Sequence, residues 1–251
     1  MHNDILSLGP FTVHGYGLMI GIGIVAALCL SWRRAEKRGL PQEGVTSLVI
    51  LIVIAGFLGA KLLFLITELP AVLRDPLPYL GADGFVVYGG IITGVLAVWL
   101  WCRKKGWSMD RWTDLLLPGV ALAQGFGRIG CFLAGCCYGR PTGSPLGVVF
   151  PAGSLAPAGV ALLPTQLFSA GGDFLLAMIL LLLDRRRGKD GRLLVWYLAL
   201  YGAGRFILEF FRSDPRGTVG ALSTSQFISL FAVAAAGLLA LRRGKRSEAN
   251  G

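Results

Sequence analysis

VTSLVILIVIAGFLGAKLLFLI, residues 45–66, decides the fold. It holds a single ionisable side chain, Lys61, and no proline. A hydrocarbon core is crossed by about 20 apolar residues in a helix, and this run is long enough. Working outward, similar segments recur at 16–32, 85–102, 112–132, 164–183, 193–211 and 222–241. The whole chain is 54% hydrophobic and only 15% charged, with a mean hydropathy of +0.65. Soluble domains carry about 25% charge, so a soluble fold is excluded. The expectation is an all-α integral membrane protein of about seven transmembrane helices, forming one polytopic domain over residues 1–251.

The formal net charge of +10 raises the question of nucleic acid, but the charges are not patched. Arg33, Arg34, Lys37 and Arg38 follow the first segment, and Arg103, Lys104, Lys105 and Arg111 follow the third. Arg185, Arg186, Arg187, Lys189 and Arg192 follow the fifth, and Arg242, Arg243, Lys245 and Arg246 follow the seventh. The alternate loops hold only Arg74, Arg140, Arg212 and Arg216. Seven crossings put all four clusters on one side, which the positive-inside rule makes cytoplasmic. The N-terminus is then outside and the C-terminus inside, and no nucleic-acid partner is expected. The first segment lacks a basic stretch before it and is followed by arginines, so it reads as a signal anchor. The outer loops, Thr67–Gly84 and Tyr138–Leu163, are rich in Gly and Pro and read as irregular, with short interfacial helices.

Ionisable groups inside such segments are costly, about 2.5–3.5 kcal/mol on insertion scales, and are functional candidates. QGFGRIGCFLAGCCYGR, residues 124–140, sets Arg128 between glycines. Its glycines allow close backbone approach or a helix break around a polar site toward the outer face. An arginine there suits phosphate oxygens, which its fork meets bidentately; snorkelling to headgroups is the plainer reading. YGAGRFILEFFR, residues 201–212, places Tyr201, Arg205, Glu209 and Arg212 on one helix face. Arg205 and Glu209 make a simple ion pair at that spacing, yet the spare positive charge favours an anionic ligand. Tyr16 in HGYGLM and Tyr88 in YGGIITG open the first and third segments, as either belt anchors or site residues. Lys61 snorkels or serves the site. Gln166, in PTQLF, is placed to donate hydrogen bonds to a headgroup.

Cys131, Cys136 and Cys137 lie in the same stretch as Arg128. The only histidines are His2 and His14, and there is no C-x-x-C pair, so no metal site is expected. A bridge between Cys131 and Cys136, a reactive thiol beside the arginine, and plain packing residues all fit.

GRIGCFLAGCCYGR, residues 127–140, resembles the signature of the prolipoprotein diacylglyceryl transferases, close to GRIGNFxNGExxGR. HGYGLM (14–19), FLGAKLLF (57–64), YGGIITG (88–94), PTQLF (164–168) and YGAGRFILEFFR (201–212) resemble its other motifs in the same order. The resemblance implies an enzyme of the bacterial inner membrane. It moves diacylglycerol from phosphatidylglycerol to the lipobox cysteine of a preprolipoprotein, leaving a thioether and glycerol-1-phosphate. It implies partners in phosphatidylglycerol, the lipobox peptide and membrane lipids, a monomer, and no cofactor.

By the same resemblance Arg128 and Arg205 hold the lipid phosphate, and Tyr16, Tyr201, Glu209 and Gly139 match residues around the site. Departures fall at Cys131 and Cys136, where the signature has asparagine and an acid, and at Tyr88, where the family has histidine. Ala134, Leu163 and Ser169 depart as well. Cys131 and Tyr88, at such departures, are therefore catalytic candidates, and Cys136 is a binding candidate. The anion-holding half of the pattern is kept. The thiol-handling half is changed, which leaves open a transferase with another acceptor or a lipid-binding or transport protein.

Overall fold

The computed structural model describes residues 4–8, 11–81, 84–186, 190–215 and 217–248. In chain order the elements are β1 Asp4–Leu8, β2 Phe11–His14, α1 Gly15–Lys37, α2 Gln42–Thr67, α3 Leu69–Val72, α4 Leu77–Leu80, α5 Val87–Lys105 and α6 Met109–Ala134. They continue as β3 Val148–Val149, β4 Ala161–Leu162, α7 Thr165–Asp184, α8 Arg192–Glu209, β5 Thr218–Val219, β6 Leu222–Ser223 and α9 Thr224–Glu248. Each apolar segment becomes one helix, starting within a few residues of its expected position. α1 and α9 overrun their expected ends through Lys37 and Glu248. In the last turn of α1, Arg34 and Lys37 favour the negative end of the helix dipole, so that helix continues through them.

Among the described residues five helices, α1, α2, α6, α7 and α9, are long and apolar enough to cross a membrane. α5 and α8 fall short of that mark because basic residues end α5 and Arg192, Arg205 and Glu209 lie in α8. The apolar surface is turned outward, as a lipid-facing chain requires: Ile54 is 53% exposed and Leu58 67%. Short two-stranded antiparallel sheets, which were not expected, precede α1 (β1–β2) and lie between α6 and α7 (β3–β4) and between α8 and α9 (β5–β6).

The chain forms two compact units, Met1–Ser31 with Thr113–Gly251, and Trp32–Trp112. In the second unit α2 and α5 touch through small residues. A Cβ on Gly90 would stand 2.7 Å from the Gly56 carbonyl oxygen, so only glycine permits this approach. Thr93 Oγ1 donates to the Ala55 carbonyl at 2.6 Å across the same seam. Lys61 donates from Nζ to the Gly81 carbonyl at 2.8 Å, close to the rings of Phe64 and Phe85. The segment between α2 and α5 does contain short helices, α3 and α4.

The first unit is built on α6, α7, α8 and α9 with the start of α1. Leu117, Ala121, Leu176, Ala177, Leu180 and Leu193 form its apolar centre. α1 lies against α6 where Gly23 meets Ala123 and Gly119 meets Ala27 and Ser31. Asp114, 3% exposed, accepts from the backbone N–H groups of Gly191 at 2.7 Å and Leu194 at 3.2 Å. It thereby satisfies donors at the start of α8 that have no intrahelical partner. We expect Asp114→Ala to lower stability by about 1–3 kcal/mol, the desolvation cost of buried donors left unpaired. Thermal unfolding in detergent measures this.

Candidate functional site

α6 carries Arg128 past three glycines without interruption. The helix continues through Gly125, Gly127 and Gly130 to Ala134. Of the five glycines in this stretch that could break the helix, Gly125, Gly127, Gly130, Gly135 and Gly139, the first three do not. Gly125 is instead filled from outside by the Phe174 ring and Gly130 by Tyr16. A helical glycine costs only about 1 kcal/mol, which such packing offsets. The break comes after Arg128, at Gly135 with φ +74, followed by Cys137 with φ +61.

α8 carries the second arginine. Arg205 Nη2 pairs with Glu209 Oε2 at 2.9 Å and donates to Ser225 Oγ at 3.0 Å. Its Nη1 is buried with no hydrogen-bond partner. Glu209 Oε1 accepts from Ser223 Oγ at 2.9 Å, so Glu209 is a holder of Arg205 whose oxygens are already engaged. Ser223 and Gln226 form a capping box at the start of α9, each accepting from the other's backbone N–H. That box anchors Glu209, and Glu209 fixes Arg205. Arg212 forks onto Asp214 at 2.9 and 2.7 Å; this hydrogen bonding helps hold its guanidinium charged, its pKa raised despite burial.

Arg128, Arg205 and Tyr201 line one cavity of about 260 Å³ together with Asp173 and Ser169. Its other walls are Phe168, Leu175, Leu176, Ile179, Leu200 and Leu208, with Gly172 and Gly204. Arg128 makes no hydrogen bond or ion pair to any described residue. Phe168, Leu175, Gly172 and Gly204 are exposed, and nothing lies within 4 Å of where a Cβ would stand on either glycine. The cavity is therefore apolar, opens sideways between α7 and α8, and has two guanidinium groups in its wall. Tyr201 is held flat against Tyr197, ring centres 5.5 Å apart, and Tyr197 donates to Gln124 Oε1 at 2.8 Å.

Asp173, 6% exposed on α7, is absent from the sequence-based candidates. The rule that picked out Arg128, an ionisable group inside an apolar segment, applies to it equally.

At the α6 break, the sulfurs of Cys131, Cys136 and Cys137 all lie within 4.8 Å of one another, and the cysteines are free thiols. Hydrogen bonds from Cys131 and Cys136, reinforced by the guanidiniums of Arg212 and Arg128, hold the Cys137 thiol well below the ordinary thiol range. Tyr16, 41% exposed, sits within electrostatic reach of these thiols and Arg128.

The remaining candidates support this turn. Gln166 donates from Nε2 to the Cys136 carbonyl at 2.7 Å, which commits one of its two amide hydrogens to this turn. Its Oε1 is buried without a partner. Thr165 Oγ1 donates to the Cys137 carbonyl at 2.8 Å. Gly139 donates to the Leu163 carbonyl at 2.9 Å, and a Cβ there would stand 2.7 Å from that oxygen. Close approach of two backbones explains the glycine. Tyr88 stands in the first turn of α5, in the Trp32–Trp112 unit.

A model of the prolipoprotein diacylglyceryl transferase family matches residues 3–242. The chain belongs to that family. It is 50% identical over 231 residues to the phosphatidylglycerol–prolipoprotein diacylglyceryl transferase of Clostridium tetani, covering 91% of this chain and 92% of the relative. It is 49% identical to phosphatidylglycerol–prolipoprotein diacylglyceryl transferase 2 of Clostridium perfringens, over 87% of this chain and 86% of that one. The Cutibacterium acnes transferase is 38% identical, over 86% and 76%. This member of the diacylglyceryl transferase family is a bacterial membrane protein. Its motifs converge on the α6–α7–α8 cavity at Arg128, Tyr201 and Arg205.

Proposed function

We propose that this chain transfers the diacylglyceryl group of phosphatidylglycerol to the cysteine thiol in the lipobox of a prolipoprotein. Arg128 and Arg205 grip the phosphodiester, and Tyr201 lies beside it. The acyl chains follow Leu175, Ile179 and Leu208 out between α7 and α8 into the bilayer. The observation that carries this reading is one cavity with an uncommitted Arg128 and a buried, unpartnered Arg205 Nη1. Such donors in an apolar wall are matched by an anion with a hydrophobic body.

The chemistry follows from charge. The peptide sulfur attacks the glycerol carbon that bears the phosphate. The carbon–oxygen bond breaks and its electron pair leaves with glycerol-1-phosphate. The phosphate gains a negative charge as it departs, so two fixed guanidiniums stabilise the transition state more than the bound lipid. Asp173, the one carboxylate lining the cavity, takes the thiol proton. Tyr16, Cys131 and Cys136, near Arg128, lie on the acceptor's side. Gln166 and Gly139 shape the turn that carries the two thiols.

The charge clusters support seven crossings in one membrane domain, N-terminus outside and C-terminus in the cytoplasm, with the site toward the outer face. The protein works as a monomer. The test is reconstitution in vesicles of phosphatidylglycerol with a lipobox peptide. We expect the peptide to gain a diacylglyceryl mass with release of an equal amount of glycerol-1-phosphate. Intact peptide with well-inserted protein would overturn the reading.

A further inference from the structure

We propose that Cys131, Cys136 and Cys137 bind one zinc ion, whose fourth position receives the acceptor thiol. This rests on the transferase reading above for its role, though not for the metal site itself.

The spacing of the cysteines argues against a metal site; their placement argues for one. The α6 helix stops at Ala134, and the left-handed Gly135 and Cys137 turn the chain back over its last turn. Cys136 N–H donates to the Cys131 carbonyl at 3.1 Å. Gln166 and Thr165 on α7 then pin the carbonyls of Cys136 and Cys137. Three sulfurs thus end within 4.8 Å of one another. Zinc–sulfur bonds of about 2.3 Å require sulfurs roughly 3.8 Å apart, so side-chain rotation of under about 1 Å closes the site. No fourth His, Cys, Asp or Glu joins the group among the described residues. Three protein ligands with one open position is the pattern of a catalytic zinc, whereas structural sites are closed by four.

Charge and position agree with that role. Three thiolates on a divalent ion carry one net negative charge, and Arg128 beside them carries one positive charge that no ion pair neutralises. The cluster also stands where the family's signature has its asparagine and acid. Zinc would supply what those groups no longer can. A thiol that coordinates it gives up its proton, here to Asp173, and stays nucleophilic near neutral pH. Its sulfur then attacks the glycerol carbon, the carbon–oxygen bond breaks, and glycerol-1-phosphate leaves with the electron pair. The thioether product is a weaker ligand than a thiolate and is released, returning the tris-thiolate.

The experiment uses the full chain in detergent, reduced with a phosphine and stripped of metal. Cadmium, which reports thiolate ligation by a charge-transfer band, is titrated in and then displaced by zinc. We expect the band to saturate at one equivalent and to persist in the C29S/C102S variant. Each of Cys131→Ser, Cys136→Ser and Cys137→Ser should weaken binding more than about 100-fold, beyond what outer-sphere changes cost. A lipobox peptide should change the band, since its sulfur enters the fourth position, and an alanine peptide should not. No band, or a band that survives Cys136→Ser, overturns the site. Transfer at full rate by metal-free protein overturns its role. The cadmium band is read without lipid, so the site is decided even if no transfer occurs, and absence of transfer by zinc-loaded protein counts against the transferase reading.

Discussion

Arg128→Ala abolishes diacylglyceryl transfer, with a loss of about 1,000-fold or more in kcat/KM, while the protein still inserts and accumulates. Removal of one preorganised donor to a developing oxyanion costs about 10²–10³-fold. Arg128 adds a full charge in a water-poor cavity, where it is screened less than at a surface. The phosphate's charge grows during the step, so the loss appears in kcat as well as KM. Arg128→Lys keeps the charge without the fork and should recover part of the rate. Accumulation is preserved because Arg128 makes no ion pair that its removal would orphan. Arg205→Ala should lose as much activity and some stability too, since it leaves the buried Glu209 carboxylate without its 2.9 Å partner. Steady-state transfer to a lipobox peptide and membrane abundance of the variants separate these effects.

Asp173→Asn lowers kcat by about 10²–10⁴-fold, the usual worth of a positioned proton acceptor. Phosphatidylglycerol binding should change little, or tighten, because a negative charge leaves the wall that faces the anion. The deficit should shrink as pH rises toward about 8.5, where the peptide thiol ionises in solution. A flat pH response with weakened lipid binding would show that Asp173 only orients the two arginines. Single-turnover rates on preloaded vesicles, followed against pH, give the answer.

Most of the framework was legible because the bilayer simplifies the physics. Apolar runs such as 45–66 and the basic clusters after alternate segments locate the helices with few competing arrangements. Arg128, Tyr201 and Arg205 were legible for a related reason: polar groups in apolar segments are conspicuous, and helical spacing put the last two on one face. What could not be read was what fills the space between helices. Gly125 and Gly130 looked like weak points in α6, but Phe174 and Tyr16, distant in sequence, pack against them and keep the helix whole. The Arg205–Glu209 ion pair was legible from its i, i+4 spacing, but the Ser223 hydroxyl that engages the other carboxylate oxygen was not. Gln166 reads in sequence as a headgroup donor, and in the fold one of its two amide hydrogens goes to a backbone carbonyl. The spacing of the three thiols reveals nothing of the left-handed turn at Cys137 that brings them together. Asp173 was legible on the same physical ground as Arg128, an ionisable group inside an apolar segment.

We propose that two arginines in one lateral cavity hold the lipid whose diacylglyceryl group is transferred. The most direct measurement is made in cells depleted of their own diacylglyceryl transferase and supplied with this chain. Mass spectrometry then reads the lipid attached to a lipobox peptide. We expect diacylglyceryl-modified peptide with the natural chain and none with the Arg128→Ala, Arg205→Ala double variant at equal membrane abundance. Undiminished modification by that double variant would contradict it.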